Sequence, residues 1–284
     1  MKYVSFTRNG SSCFGAVVNG GVVDLSGRFG AGINSLKQAL AAELQGQVDE
    51  YVHGRLPELS WSDITFLPVI PNPAKIFCIG LNYQKHKEET GRPDVNYPTV
   101  FTRFADTQIG HLQPLIRPSV TEQFDYEGEM AVIIGRGGRN INESDAIAHV
   151  AGYACYNEGS VRDYQRHTSQ FTPGKNFSGT GAFGPYMVTP DEVGDYSKLP
   201  IKTFLNGQVM QESSLAEMIF PVEQLISYIS QFTALGPGDV IVTGTPGGVG
   251  DKRQPPVYMQ PGDIAEVEIG CLGILSNPVI EESI

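Results

Sequence analysis

The amino-acid sequence predicts a mostly β fold of the α+β class, on three observations. The 284 residues include 33 Gly and 19 Pro, and this abundance of turn residues favours many short strands. Short runs rich in β-branched residues, among them AVIIG, IKTFLNG and DVIVTGT, are bounded by Gly, Pro or Asn. These strand patterns outnumber the helical ones and do not alternate with them as βαβ units require. We therefore expect sheets to dominate the fold.

Individual elements follow from the spacing of apolar and turn residues. The N-terminal segments KYVSFTR and CFGAVVNGGVVDLS read as hairpin strands, with a turn at Asn19 and Gly20. Leucines at fourfold spacing predict a helix over residues 34–58. A second helix is predicted over Val222–Phe232, after the start signal Pro221. The C-terminal stretch PPVYMQPGDIAEVEIGCLGILSNPV alternates apolar and polar positions like strands of an antiparallel sheet.

A boundary near residue 70 divides the chain into two predicted parts. The stretch FLPVIPNPAKIFCIGLNY carries three prolines and runs extended until the apolar run IFCIG begins. Residues 1–70 are expected to form a small N-terminal module of α+β character. Residues 71–284 are expected to form a larger domain that holds the chemistry.

Charge and composition exclude several classes of function. The chain has 31 acidic and 20 basic residues, a net charge of −11, and phosphate binding needs clustered Lys and Arg, so no nucleic-acid partner is expected. No run of about 18 apolar residues is present, so no membrane-crossing helix is expected. The start MKYVSFTRNG has no apolar stretch of signal-peptide length, and the four cysteines form no CxxC pair. A cytoplasmic protein with reduced thiols is predicted.

Glu127 and Glu129 stand two residues apart at the start of the apolar strand in FDYEGEMAVIIG. Side chains alternate between the two faces of a strand, so both carboxylates point to the same side. Two like charges side by side need a cation, a proton or solvent. A site with oxygen ligands alone favours Mg²⁺, Mn²⁺ or Ca²⁺. The alternative is an exposed strand edge in water.

A third carboxylate, Glu158, ends the next apolar strand in AGYACYNEGSVRDYQ. Three carboxylates from two strand ends would supply the oxygen ligands that a hard divalent ion requires. Arg162 and Asp163 follow after a Gly-Ser turn, and we expect these two side chains to form a local ion pair.

Three further stretches carry residues suited to catalysis or binding. His86 and Glu89 are three residues apart in GLNYQKHKEETGRP, a helical spacing at which the carboxylate could orient the imidazole; the alternative is a polar surface turn. Lys175, in TPGKNFSGTGAFGP, offers a cation to an anionic substrate unless it is simply solvated. Thr245 lies in the Gly-rich turn of DVIVTGTPGGVG, whose amides and hydroxyl could hold a carboxylate. That turn lacks the lysine and spacing of a nucleotide-binding loop.

Six stretches occur in the order typical of one family: CIGLNYQKHKEETG, FDYEGEMAVIIG, NEGSVRDYQ, PGKNF, VTGTPGGVG and the C-terminal PPVYMQPGDIAEVEIGCLGILSNPV. In this series the sequence resembles the fumarylacetoacetate hydrolase family over roughly residues 72–281. The resemblance implies a mixed β-roll catalytic domain, usually dimeric, that binds Mg²⁺ or Mn²⁺ through three carboxylates. The N-terminal residues look like the small leader module of many bacterial members.

The resemblance also implies roles for the acidic candidates and the histidine. Glu127 and Glu129 match the first two metal ligands. Glu158 stands where the family usually has Asp in an NDxSxRD-like stretch, and its extra methylene lengthens the arm by one carbon–carbon bond. His86 and Glu89 match a pair on a mobile lid that activates water.

Substrate contacts are implied for four other residues. Lys175 matches the lysine of GKSFD-like stretches, Thr245 the threonine of TGTP, and Gln165 a polar residue of RDLQ-like stretches. Arg103, in FTRF, stands where many members have Lys, and it keeps the charge with a different donor geometry. The lid is expected to span residues 82–95. The expected catalytic residues are His86, Glu89 and Lys175.

The resemblance and the residues together predict a metal-dependent hydrolase. It would cleave a carbon–carbon bond in a 2,4-dioxo acid of the acylpyruvate or fumarylpyruvate type, giving pyruvate and a carboxylic acid, as in aromatic catabolism. Decarboxylation of oxaloacetate-like acids and isomerisation or tautomerisation of unsaturated dioxo acids use the same enolate and remain open. A non-catalytic, metal-stabilised dimer or binding module is the alternative from another class. The expected partners are a small dioxo acid and a second copy in a homodimer.

Overall fold

An eleven-stranded mixed sheet forms the centre of the protein in the computed structural model, which describes residues 1–90 and 96–283. Its strands are β1 (Lys2–Arg8), β2 (Ser11–Val18), β3 (Gly21–Asp24), β4 (Thr65–Phe66), β5 (Ile76–Gly80), β6 (Thr99–Thr102), β7 (Gln108–Ile109), β10 (Gly128–Ile134), β11 (Val150–Glu158), β13 (Gly181–Val188) and β16 (Val240–Val242). They are ordered β3-β2-β1-β13-β11-β10-β16-β5-β6, with β4 paired to β1 and β7 to β13.

Two smaller sheets complete the β structure. A five-stranded sheet, ordered β15-β14-β17-β18-β8, contains β8 (Leu115–Arg117), β14 (Pro200–Leu205), β15 (Gln208–Ser214), β17 (Ile264–Ile269) and β18 (Ile274–Glu281). A two-stranded ribbon contains β9 (Phe124–Asp125) and β12 (Ser160–Val161). The antiparallel pairing of β17 with β18 confirms the alternation read from the C-terminal sequence.

The helices are short and lie between the strands. They are α1 (Leu36–Ala41), α2 (Gln45–Val52), α3 (Gln84–Thr90), α4 (Arg162–Gln165), α5 (Thr172–Lys175), α6 (Pro190–Val193) and α7 (Val222–Phe232). Short 3-10 turns add Trp61–Asp63, Ala105–Thr107, Glu143–His149, Tyr196–Lys198, Leu215–Glu217, Gly250–Lys252 and Gly270–Leu272. The predicted helix after Pro221 is confirmed as α7. None of the helices within the described ranges has the length and apolar composition that crossing a membrane requires.

The predicted single helix over residues 34–58 is wrong, because the segment forms α1 and α2 with a break between them. Glu43 adopts the left-handed conformation, with φ of 53°, which a continuing helix does not allow. Leu36, Leu40 and Leu44 are nevertheless all buried, as their spacing predicts. The spacing of the leucines therefore predicted correctly which side chains are buried. It could not show that the backbone changes direction between α1 and α2.

Both faces of the large sheet are covered by other elements. On one face of β10, Val132 belongs to a buried cluster with Val267 of the five-stranded sheet. On the other face, Ala131 belongs to a second cluster with Leu36 and Leu40 of α1. This three-layer arrangement buries the whole of β10 and leaves its first residues beside a cavity.

The N-terminal hairpin has the predicted turn. Val18 pairs with Gly21, and the two residues between them, Asn19 and Gly20, have φ of 46° and 79°. Both central residues of a type I′ turn need positive φ, which explains the Asn-Gly sequence.

The N-terminal segment is continuous with the rest of the fold. Tyr3 of β1 pairs with Met187 of β13, so the first three strands extend the large sheet. The division into residues 1–70 and 71–284 stays a prediction, and the two parts share one sheet and one buried cluster.

Candidate metal centre and active site

Three glutamates meet at the ends of β10 and β11. Gly128 pairs with Asn157 in the antiparallel ladder, which places Glu127 opposite Glu158, whose backbone N–H donates to the Glu127 carbonyl. Glu129 follows two residues later on the same face of β10. One carboxylate oxygen from each glutamate lies within 4.8 Å of the others, and all three side chains are buried. The predicted cluster of carboxylates is therefore present.

Two cations hold the Glu127 carboxylate from its two sides. Lys175 Nζ donates to Glu127 Oε2 at 2.5 Å and to Glu158 Oε2 at 2.9 Å. Arg162 Nη1 lies 2.7 Å from Glu127 Oε1. Burial raises the pKa of Glu127, but Lys175 and Arg162 outweigh burial and hold that pKa well below its usual range. Glu127 is thus an ionised carboxylate in a buried setting.

Glu129 is held by the backbone of the Gly-rich turn. The N–H of Gly244 donates to Glu129 Oε2 at 2.5 Å. Burial, with the charges of Glu158 and Glu127 in addition, raises the pKa of Glu129 well above its usual range. If all three glutamates are ionised, their three negative charges meet only two positive charges in direct contact, those of Lys175 and Arg162.

The donor set fits a hard divalent cation. Three carboxylate oxygens are the ligands that Mg²⁺ and Mn²⁺ prefer. Glu158 Oε1 is buried and has no hydrogen-bond partner among the residues that the structure describes. A buried carboxylate oxygen without a partner is costly unless a cation or a water satisfies it. Glu127, Glu129 and Glu158 are thus the residues that would hold the metal.

These glutamates lie in a cavity of about 250 Å³. His86, Gln165, Lys175 and Thr245 also line this cavity, so four more of the residues predicted from the sequence converge on it. Its apolar wall includes Ile79, Leu81, Phe101, Phe171 and Val249. The size and the mixture of apolar wall and polar groups suit a small organic anion.

His86 and Glu89 lie on α3 at the predicted helical spacing. His86 is 6% exposed, and its Nδ1 lies 3.6 Å from Glu89 Oε2. The other oxygen of Glu89 accepts the N–H of Gly248 at 2.8 Å. Glu89 is not among the described residues that line the cavity, so its effect on a substrate would pass through His86. Of the predicted lid, residues 91–95 lie outside the described residues.

The Gly-rich turn after β16 binds two carboxylates. The sequence suggests that this turn can hold a carboxylate, and the two that it holds belong to side chains of the protein. Its amides bind Glu129 and Glu89, as described above. Thr245 Oγ1 donates to the Gly128 carbonyl at 3.0 Å and accepts from Gln211 Nε2 at 2.8 Å. Thr245 lines the cavity and also ties the turn to the strand that carries Glu129.

Arg103 departs from its expected position at the substrate. Its Nη1 donates to the Gly159 carbonyl at 3.1 Å and its Nη2 to Thr180 Oγ1 at 2.7 Å. It is buried and is not among the described residues that line the cavity. The guanidinium therefore supports the loop after Glu158, a role that sequence position alone does not reveal.

The predicted local ion pair of Arg162 with Asp163 is wrong. Arg162 Nε donates to Asp125 Oδ2 at 2.8 Å, while Asp163 accepts from Thr121 Oγ1 at 2.8 Å. Arg162 also donates to Gln165 Oε1 at 3.0 Å, which fixes that amide at the cavity wall. Arg162 and Asp163 point in different directions because both lie in α4, where successive side chains do not face each other.

Asp125 is a site residue that the sequence reasoning missed. It is fully buried and accepts the backbone N–H groups of Gly250 and Asp251, each at 2.9 Å, as well as Arg162. Asp125 therefore joins the segment between β9 and β10, which carries Glu127, to the loop after the Gly-rich turn. Its position two residues before Glu127 is the feature of the sequence from which it could have been predicted.

The sequence of the larger part matches one known family. The family model for the C-terminal region of fumarylacetoacetate (FAA) hydrolase matches residues 75–280. The chain belongs to the fumarylacetoacetate hydrolase family. The resemblance read from the six ordered stretches is confirmed, and the protein is an enzyme of this family.

Individual relatives agree with the family assignment. Over 228 residues the chain is 42% identical to the mitochondrial oxaloacetate tautomerase FAHD2A of Bos taurus, covering 80% of this chain and 73% of that protein. The corresponding tautomerase of Rattus norvegicus is 36% identical over 278 residues, covering 93% and 85%. The solved fumarylacetoacetate hydrolase of Exiguobacterium antarcticum is 33% identical with a TM-score of 0.86, covering 99% and 100%. The predicted mostly β fold of this family's type is confirmed.

Proposed function

We propose that the protein is a metal-dependent enzyme for enolisable 2-oxo acids, with keto–enol tautomerisation of oxaloacetate as its first candidate activity. The observation that carries this proposal is the convergence of three buried glutamates, Lys175 and His86 on one cavity. The names of the bovine and rat relatives support oxaloacetate as the substrate. Hydrolysis, the activity expected from the sequence, becomes the second candidate.

The chemistry of enolisation matches the charges around the cavity. A divalent ion held by Glu127, Glu129 and Glu158 would act as a Lewis acid on the 2-oxo and carboxylate oxygens. Lys175 adds a buried positive charge at the same place, which favours a developing enolate oxygen. Arg162 holds Glu127 in position and keeps that carboxylate ionised. Enolisation also requires a group that removes a proton from carbon 3 of the substrate and returns it to oxygen.

His86 is the group suited to move that proton. Its imidazole lines the cavity that contains the glutamates. Glu89, 3.6 Å from Nδ1, would orient the ring towards the substrate. No water need be activated in this reaction, so His86 acts directly on the substrate carbon.

Hydrolysis of a 2,4-dioxo acid remains the second candidate because of the same histidine and glutamate. A His86–Glu89 pair can also deprotonate a water that attacks the distal carbonyl, and the leaving enolate would meet the same positive charges. Decarboxylation of oxaloacetate needs the enolate stabilisation alone. A non-catalytic binding module would not require Lys175 and His86 to meet at the glutamates.

One set of assays separates these activities. The protein is supplied with Mg²⁺ or Mn²⁺ and assayed with oxaloacetate and, in parallel, with acetylpyruvate. The oxaloacetate reaction is followed both by enol absorbance and by pyruvate release. Faster enol–keto interconversion with little pyruvate release supports tautomerisation, whereas cleavage of acetylpyruvate supports hydrolysis. Activity of either kind should disappear in chelator and in Glu129→Gln. Full activity in exhaustive chelator would contradict the metal-dependent proposal.

Three other expectations remain proposals. Mg²⁺ and Mn²⁺ are the favoured ions, with Ca²⁺ as a third, because the donors are oxygens alone. A homodimer is expected from the family resemblance. A cytoplasmic location is expected from the sequence, whereas the bovine and rat relatives are named as mitochondrial proteins.

A further inference from the structure

The mouth of the cavity carries two cations that neither the sequence reasoning nor the proposed chemistry uses. Arg166 and Lys252 both line the cavity. Both pair with Asp251, which lies 3.2 Å from Lys252 Nζ and in direct contact with Arg166 Nη2. The positive charges of Arg166 and Lys252 therefore face the single negative charge of Asp251. This group of three side chains has a net charge of +1, which an anionic ligand could neutralise.

Asp251 holds this arrangement in place. Its side chain is 7% exposed, Tyr258 donates to its Oδ1 at 2.9 Å, and its backbone N–H donates to Asp125. A guanidinium has five N–H donors in a rigid plane, so Arg166 can bind Asp251 and a second carboxylate at once. The contact thus positions Arg166 without saturating it.

Helix α4 places Arg166 one turn after the arginine that binds Glu127. Arg162 begins α4 and binds Glu127, while Arg166 caps the C-terminus of α4 one turn later. The side chain of Arg162 is 6% exposed and that of Arg166 is 51% exposed, so the second arginine is the outer one. One helical turn advances the backbone by about 5.4 Å, so the two arginines start from successive turns on the same side of the cavity.

We infer that Arg166, with Lys252 beside it, binds the second carboxylate of a four-carbon dicarboxylic 2-oxo acid. The first carboxylate and the 2-oxo group would lie at the divalent ion that the glutamates would hold; this placement and the four-carbon length rest on the proposed function. The enzyme then prefers dicarboxylates to monocarboxylates of similar size. Arg166 is a specificity-determining residue and takes no part in the proton transfer.

The inference can be tested by binding as well as by turnover. Malate and lactate are matched probes, because both present a 2-hydroxy acid and only malate has a second carboxylate. Calorimetric titration of the Mg²⁺-loaded protein compares the two probes in wild type, Arg166→Gln and Arg166→Lys. The control Lys198→Gln removes an exposed charge outside the cavity lining.

Arg166→Gln should weaken malate binding by about 10–100-fold, the usual range for a lost charge-assisted hydrogen bond, and leave lactate binding within about twofold. Arg166→Lys should restore part of the malate affinity, and Lys198→Gln should change neither. For oxaloacetate, Arg166→Gln should raise KM with little change in kcat. Equal weakening of malate and lactate, or no weakening of malate, would overturn the inference.

The two proposals fail separately in this experiment. If wild type binds malate more tightly than lactate and Arg166→Gln abolishes the difference, selectivity for dicarboxylates stands even without oxaloacetate tautomerisation. If oxaloacetate is tautomerised but Arg166→Gln leaves malate binding and KM unchanged, the proposed function stands and the role of Arg166 is wrong. Thermal unfolding of each variant checks that the half-exposed side chain is not needed for folding.

Discussion

Lys175 Nζ lies 2.5 Å from Glu127 Oε2, and both side chains are buried. This ammonium is an internal counter-ion for the glutamate cluster, since it also contacts Glu158. Burial lowers the pKa of Lys175, but Glu127 and Glu158 outweigh burial and raise it above its ordinary value. A protonated lysine therefore compensates the same carboxylates that would hold a divalent ion.

Replacement of Lys175 should make stability depend on metal. We expect Lys175→Met to lower the free energy of unfolding without metal by about 3–5 kcal/mol, because buried carboxylates lose their partner. Saturating Mg²⁺ or Mn²⁺ should recover a large part of that loss. Denaturant unfolding with and without metal measures both effects, with the exposed Lys198→Met as control. A loss that metal does not reduce would show that the ion does not bind at these carboxylates.

The length of the Glu158 side chain gives a second prediction. Glu158→Asp should keep metal binding within about tenfold, because the family usually has the shorter acid and Oε1 has no hydrogen-bond partner to lose among the described residues. Glu158→Ala should weaken metal binding by about 100-fold or more, since a ligand atom is removed. Calorimetric Mn²⁺ titration checks both, with exposed Glu122→Ala as control. Unchanged affinity in Glu158→Ala would mean that the third ligand is misassigned.

His86 should separate proton transfer from metal binding. His86→Ala is expected to slow tautomerisation by about 10²–10⁴-fold, the usual contribution of a general acid–base group. Metal affinity should stay unchanged, and any oxaloacetate decarboxylation should fall much less, because it needs only the stabilised enolate. Steady-state assays of tautomerisation and decarboxylation measure how much each reaction slows, with the exposed His53→Ala as control. Equal loss of both reactions would argue against His86 as a proton carrier.

Helix α3 is expected to become more protected when a ligand binds. Its sequence QKHKEET offers no apolar side chain to a core, so local opening should need little energy, and opening would break the bond from Gly248 N–H to Glu89. Oxalate resembles the pyruvate enolate and is a suitable probe. Amide hydrogen exchange across Gln84–Thr90 should slow with oxalate and Mg²⁺, while exchange in α7 (Val222–Phe232) should not change. Identical exchange in α3 with and without ligand would contradict a lid.

His111 should give the folded state a pH dependence of its own. Burial lowers its pKa from 6.5 to about 4, and its Nδ1 accepts the N–H of Ser276 at 3.1 Å. The unfolded chain then binds a proton that the folded chain does not, so stability is lost as pH falls from 6.5 towards 4. The loss should be about 1–2 kcal/mol after allowance for partial exposure. His111→Asn should flatten this slope in denaturant unfolding; an unchanged slope would assign it to other groups.

Strand alternation was enough to locate the glutamates, because a period of two fixes the face on which Glu127 and Glu129 lie. The same rule would have found Asp125, two residues earlier. The partners of these acids could not be found in this way. The sequence predicts that Arg162 pairs with its neighbour Asp163, whereas in the fold Arg162 contacts Glu127. The partner of Glu129 is the backbone N–H of Gly244, and a glycine has no side chain from which such a contact could be predicted.

The N-terminal part shows the same limit. The Asn-Gly turn and the burial of the leucines follow from local chemistry, and the structure has both. The left-handed Glu43 that separates α1 from α2 does not follow, because any residue type can be forced there by packing. Likewise Arg103 matches the family's position for a cation, and only the folded chain shows that it binds Gly159 and Thr180.

The pairing of β1 with β13 has a consequence for any attempt to isolate the catalytic part. A fragment beginning at residue 75, where the family match starts, would lose the N-terminal part of the apolar cluster that contains Ala131 and Ile133. Those residues continue the strand that carries Glu129. The uncovered edge of β13 would also present free backbone groups to another copy, a common route to aggregation. The glutamate cluster thus depends on a segment that contributes none of its carboxylates.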